Sequence, residues 1–170
     1  MRSFIMLRRA ALLSILILPV HQAVALDCRL DHATYRESVS GAVLAFQPKD
    51  SARDAGMSVG PFQMRLPNIS ETFEGDIAWN AGSHARPAGE MGHACLRDES
   101  ADASACRLWA GSAYGLGDAG AGLLDDADMS APKAILLVDF GRSLATTRVL
   151  ASANPGTAAF DVFTLSECRQ

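Results

Sequence analysis

The sequence predicts a mainly β fold: a single antiparallel sandwich or partly closed barrel with long loops and two disulfides. Three observations carry this. Apolar residues recur mostly with a period of two, which sets them on one strand face and leaves polar neighbours on the other. Clusters of Gly, Pro, Asn and Ser bound each alternating run, as they bound strands. Four cysteines (Cys28, Cys95, Cys106 and Cys168) stand in a chain that opens with an export signal, and an even count there reads as disulfides.

The elements follow in chain order. Residues 34–39 and 42–47 read as two strands turning at Ser40-Gly41. Phe62, Met64 and Leu66 share a face opposite Gln63 and Arg65. Phe73, Ile77 and Trp79 share a face with Gly75, and Thr72, Glu74, Asp76 and Asn80 point the other way. Residues 107–114 alternate again. Parity puts Trp79 inside; Trp109, opposite in parity to Leu108, is expected to be exposed. Residues 123–128 leave room for one helical turn. Residues 134–138 are continuously apolar and fit either a buried strand or a helix capped by Ser130. Gly141, Thr146 and Thr147 disfavour a long helix, so a strand and a short turn are expected. Residues 160–165 form a last strand before Cys168. Long loops fall near residues 48–57, 81–93 and 115–131. Half-polar alternation of this kind suits an antiparallel sheet with one wet face.

The first 25 residues read as an address. Arg2, Arg8 and Arg9 supply a positive start, residues 10–20 are apolar apart from Ser14, and Ala23-Val24-Ala25 offers a small-x-small cleavage site. The run falls short of the roughly 20 apolar residues that span a bilayer, and no later segment reaches that length. A secretory signal peptide cleaved after Ala25 is expected, leaving residues 26–170 as one domain that is periplasmic or secreted. Asp27 stands before Cys28 where a lipidation site needs a small residue. The remaining chain carries twelve basic and nineteen acidic residues, a net charge of −7. That balance excludes nucleic acid as a partner and disfavours anionic lipid surfaces. Thirteen arginines against two lysines suggest bacterial, GC-rich coding.

Three disulfide pairings are possible. Cys28–Cys168 would join the chain ends, which commonly lie close in a compact domain. Cys95–Cys106 would then close a short polar loop. No CxxC is present to suggest a redox or zinc site.

Motifs that carry chemistry are few. Gly115, Gly117 and Gly120 match GxGxxG, but a dinucleotide site needs a helix after the glycines, and Ala121-Gly122-Leu123 followed by acids is a poor helix start. Asp139-Phe140-Gly141 spells a kinase triplet without the rest of a kinase. No nucleophile elbow occurs, and a triad is defined by geometry rather than inventory. Glu71, Glu74 and Asp76 cluster around one strand and read as solvated; a glycosidase pair is the functional rival. Asp125, Asp126 and Asp128 lack the spacing of a calcium loop. The most site-like stretch holds His84, Met91 and His93, since imidazole and thioether ligands suit copper; its bland reading is a Gly/Pro-rich loop with surface histidines.

Asp27-Cys28-Arg29-Leu30-Asp31-His32-Ala33-Thr34-Tyr35-Arg36, the turn Asp139-Phe140-Gly141-Arg142-Ser143-Leu144 and the end Phe163-Thr164-Leu165-Ser166-Glu167-Cys168 are similar to small exported proteins of Gram-negative bacteria that remain uncharacterised. The likeness lies in plan: a Cys after the signal, a β-rich middle and a Cys near the last residue. It implies an exported β-rich domain and transfers no catalytic residue. Periplasmic lysozyme inhibitors share the same plan at fold level only.

The sequence therefore expects an exported, non-enzymatic envelope binding or accessory module whose partner is an envelope protein or glycan. It assigns no catalytic residue and no cofactor. The alternatives are a periplasmic copper-type metal binder using His84, Met91 and His93, and a small secreted hydrolase.

Overall fold

The computed structural model describes residues 28–49, 57–97, 102–147 and 161–169. The expected signal segment and Phe160 lie outside the described residues. The strands are β1 (Ala33–Arg36), β2 (Val43–Phe46), β3 (Ser58–Arg65), β4 (Thr72–Trp79), β5 (Pro87–Gly92), β6 (Arg107–Gly117), β7 (Gly120–Gly122), β8 (Ala134–Leu137) and β9 (Val162–Cys168). Two short helices, α1 (Ala103–Cys106) and α2 (Phe140–Ala145), sit between strands.

Every strand pairing is antiparallel, and strands from β1 to β6 pair in sequence order. β6 passes to β8, β8 to β9, and β9 returns to β1. The sheet closes as an eight-stranded antiparallel barrel, and β7 folds back on the end of β6 as a small hairpin. Of the two expected architectures, the barrel is realised, and it is fully closed. Closure gives each barrel strand a partner on both sides, which removes the exposed edges an open sheet would carry.

The period-two reading of the strands holds where the ladder is regular. Phe62, Met64, Phe73 and Ile77 are fully buried, while Gln63, Arg65 and Thr72 are exposed. It fails for Trp109. Met91 pairs with Trp109 and the next residue, Gly92, pairs with Arg107, so Leu108 is an extra residue on β6. A bulge of this kind shifts parity by one. Leu108 and Trp109 are accordingly both buried, and the expected exposure of Trp109 is corrected to 1%. Trp79, expected inside, is half-buried. The indole N–H of Trp109 donates to Val138 O at 2.9 Å, and its ring meets Phe140 edge-on at 5.6 Å.

Eight strands enclose a space that side chains can just fill. Tyr35, Phe46, Phe62, Phe73, Trp109 and Phe163 occupy it, with ring pairs in tilted or edge-on contact. Glycines on the wall make room for these rings. A Cβ at Gly75 would run into Phe62, and one at Gly89 would lie 2.8 Å from the Trp109 ring.

The strand at residues 134–137 is as expected, but the segment after it is helical rather than a short turn. Asp139 takes a left-handed conformation (φ 58°), which starts α2, and the Gly141 N–H donates to the Asp161 carboxylate at 2.8 Å. Phe140 and Leu144 of α2 are fully buried. Residues 123–128 form no helix; the segment ends in a single hydrogen-bonded turn, Met129 N–H to Asp126 O at 3.1 Å. The backbone here is tied to the segment before β1: Leu30 N–H donates to Met129 O at 3.0 Å, and Asp31 N–H to Ala127 O at 3.2 Å.

Both expected disulfides are formed, Cys28–Cys168 and Cys95–Cys106. The first ties the segment before β1 to the end of β9. Among the described residues, no helix is long and apolar enough to cross a membrane.

Candidate functional site

The antiparallel order fixes what gathers at each rim. The start of β1 and the ends of β2, β4 and β9 share one rim, the terminal rim, with the loop between β4 and β5 and the segment between β7 and β8. The turn between β3 and β4, the ends of β5 and β8 and the starts of β6 and β9 share the far rim.

The terminal rim is plugged. Leu124 and Ala127 are buried, and Leu124 lies against the Gly115 position while Ala127 lies against Gly60. Charge pairs pin the plug from outside. Arg29 bridges Asp31 and Asp128, and Lys49 Nζ lies 2.7 Å from Asp126. The lysine hydrogen bond holds the Asp126 carboxyl below its ordinary range. Asp126 and Asp128, two residues of the calcium-like run, are thus spent on a strap across the barrel mouth.

A mixed surface remains open on this rim. Trp79 is half-buried; its indole N–H donates to Asp125 O at 3.3 Å and its backbone N–H to Met57 O at 2.8 Å. Met57 is 52% exposed and Leu123 45% exposed, whereas most large apolar side chains are inside. Every residue from Asn80 to Arg86 is exposed. That loop is closed at its base by Asn80 N–H to Arg86 O at 3.1 Å and Arg86 N–H to Asn80 Oδ1 at 2.8 Å. The result is a firmly based finger beside an aromatic ring with a polar handle, a combination suited to contact with another molecule.

The glycine motif belongs to the same region. Gly115, Gly117 and Gly120 lie in the β6–β7 hairpin, with Gly117 paired to Gly120 across a two-residue turn. No helix follows them, so the backbone offers no phosphate cradle at a helix start.

The far rim holds a second polar group. His93 Nδ1 lies 2.7 Å from Glu71 Oε1, and the His93 ring meets Phe73 edge-on at 5.5 Å. Glu74 and Asp76, grouped with Glu71 in the sequence, lie further along β4, and Ser58 Oγ donates to Asp76 at 2.9 Å.

The structure spreads the three expected metal ligands. His84 is exposed in the finger on the terminal rim, Met91 is fully buried in the barrel, and His93 is at the far rim. The six residues of β5 separate the two histidines, roughly 17 Å of strand at about 3.3 Å per residue. Among the described residues, no group of three or more His, Cys, Asp or Glu side chains could hold a metal ion. His32 has its own partner, with Nδ1 3.0 Å from Arg169 O, so each histidine has separate surroundings.

The sequence reading put Trp79 inside, and so missed its place on this rim together with Met57, Leu123 and the Asn80–Arg86 clasp. A Trp at the end of a strand beside a Gly/Ser-rich loop was the available signal. The exposure of Met57 and Leu123 depends on tertiary packing.

Fold and rim define a closed eight-stranded barrel with a filled interior and a structured terminal surface. Compared with known proteins, the chain matches no family model, no curated protein and no solved structure.

Proposed function

We propose that this is an exported, non-enzymatic binding module of the bacterial envelope, and that the terminal rim around Trp79 is its contact face. The observation that carries the reading is the filled barrel. Aromatic side chains occupy the space where barrels of this size otherwise hold a small ligand. Recognition is thereby moved to the outside, and the terminal rim is where half-buried Trp79 and exposed Met57 and Leu123 meet a clasped loop. The partner is an envelope protein or glycan, both of which an aromatic face with flanking hydrogen-bonding groups can bind. Export by the N-terminal signal segment fits the two disulfides, which persist in oxidising compartments.

Affinity capture from a native envelope extract tests this, with wild-type protein and a Met57→Ser/Leu123→Ser variant run side by side. Both substitutions fall on exposed side chains and leave the core intact. The expected result is one saturable species retained by the wild type and lost from the variant. A blank with the wild type, or equal retention by both, would overturn the reading.

A further inference from the structure

The two disulfides have different surroundings. Cys28 is 4% exposed, and Cys168 is half-buried, packed on the core in the β1–β9 ladder opposite Ala33. The backbone is bonded around both: Ala131 N–H donates to Cys28 O at 2.6 Å, and Arg169 N–H to His32 O at 2.9 Å. Backbone hydrogen bonds therefore hold the segments on both sides of this bond. Cys95, by contrast, is exposed, in a 3-10 turn spanning Ala94–Arg97. Ala94 on one side and Asp102, Ser104 and Ala105 across the loop are exposed too. Its partner Cys106 is shielded, 5% exposed at the foot of β6, where its carbonyl accepts the His93 N–H at 3.0 Å. The β5–β6 ladder ends at Gly92 and Arg107, before the bond is reached, so barrel closure does not pass through it.

Thiol–disulfide exchange begins with a thiolate attacking one sulfur in line with the bond, and access decides which sulfur and which bond react. We propose that Cys95–Cys106 is an exchange site open to dithiols at the Cys95 sulfur, carried on a barrel that the inert Cys28–Cys168 bond keeps closed. The incoming thiolate forms a bond to Cys95 Sγ as the Cys95–Cys106 bond breaks. The electron pair leaves on Cys106, whose thiolate takes a proton from water. The second thiol of the reductant then attacks the mixed disulfide and releases Cys95. The dithiol ends as a cyclic disulfide, and the protein has gained two electrons and two protons.

Timed reduction of the full folded protein with dithiothreitol, quenched with iodoacetamide and read by peptide mass, tests this. Cys95 and Cys106 should be alkylated about tenfold faster than Cys28 and Cys168, as expected for a bond with one exposed sulfur against a bond whose more accessible sulfur is half-buried, while tryptophan fluorescence stays constant. Equal rates, the reverse order, or loss of the fluorescence signal in step with the first reduction would overturn the proposal. A second measurement addresses the attacked sulfur. Cys106→Ser leaves Cys95 as a free thiol and Cys95→Ser leaves Cys106. The Cys95 thiol should react about tenfold faster with dithiobis(nitrobenzoate), reflecting its access. Equal reactivity would remove Cys95 from that role.

Discussion

Replacing Gly89 with Ala would test whether the barrel interior is as full as the structure shows. The new methyl would lie 2.8 Å from two carbons of the Trp109 ring and 3.3 Å from Ile77. Trp109 has little freedom to yield. It is 1% exposed, its N–H is bonded to Val138 O at 2.9 Å, and Phe140 meets its ring at 5.6 Å. Overpacking of this kind costs about 1–3 kcal/mol. Removing a glycine from the unfolded chain returns about 0.4–1 kcal/mol. The net expectation is a loss of about 1–2 kcal/mol, read from urea unfolding at unchanged m-value. Gly117→Ala is the matched control, because a Cβ there meets nothing within 4 Å. It should stay within about 0.5 kcal/mol of wild type. The cause is checked by a double-mutant cycle with Trp109→Phe. The smaller ring leaves space for the methyl, so the two changes should couple favourably by about 0.5–2 kcal/mol. Gly89→Ala as neutral as Gly117→Ala, or a cycle with no coupling, would refute the argument.

Three further outcomes are expected. The disulfides close sequence separations of 140 and 11 residues. In the loop-entropy model these correspond to about 5 and about 2.8 kcal/mol, so Cys28→Ser/Cys168→Ser should lose more stability to urea than Cys95→Ser/Cys106→Ser. Glu37 is 2% exposed and its carboxylate receives the Val39 N–H at 2.8 Å and the Ser40 N–H. Burial pushes its pKa up, but hydrogen bonds from Ser40, Val39 and Ser38 prevail and hold it below the ordinary 4.5. Its contribution is therefore complete above that value and lost as pH falls through the lower folded value. Glu37→Gln should flatten the acid limb of a stability–pH profile, and Glu37→Ala should cost about 1–3 kcal/mol near neutral pH. The Lys49–Asp126 pair is exposed on the acid's side, so Lys49→Ala should change stability by less than about 1 kcal/mol, with the difference shrinking as salt is added.

Strand identity was legible wherever side-chain alternation ran unbroken. Phe62, Met64, Phe73 and Ile77 showed their burial by spacing alone, and the two cysteine pairs could be ranked from their positions in the chain. Trp109 was misplaced because register is a property of two strands. The extra residue at Leu108 appears only when β6 is laid against β5. The helix after β8 was missed for a related reason. Phe140 and Leu144 have a helical spacing too short to register as a period, and the bond from Gly141 to Asp161 that orders the helix start spans twenty residues. The rim was legible only in part. Trp79 could be picked out as a large aromatic, but its tie to Asp125, its contact with Met57 and the clasp of Asn80 on Arg86 arise from folding.

The same packing argument bears on where function can reside. The terminal mouth is closed by Leu124 and Ala127 and strapped by Arg29–Asp128 and Lys49–Asp126. At the other end, α2 buries Phe140 and Leu144, and Phe140 meets both Trp109 and Phe163 edge-on. A ligand entering from either side would have to displace side chains that already satisfy one another. Leu- or Phe-sized truncations in such a core cost about 2–5 kcal/mol, a large share of the stability of a domain this size, so opening the barrel is not an inexpensive route to binding. The outer surface carries no such cost. Met57 and Leu123 already expose apolar area, and the Asn80–Arg86 loop is already closed at its base by hydrogen bonds, which lowers the entropy lost on contact. Widening the core should therefore create a new cavity without touching partner affinity. Phe163→Ala is the direct case: it should lower stability by about 3–5 kcal/mol yet leave capture of the proposed partner unchanged at temperatures where the variant is folded. Loss of capture in the folded variant, with the rim variant Met57→Ser/Leu123→Ser still binding, would place recognition inside the barrel and reverse the assignment.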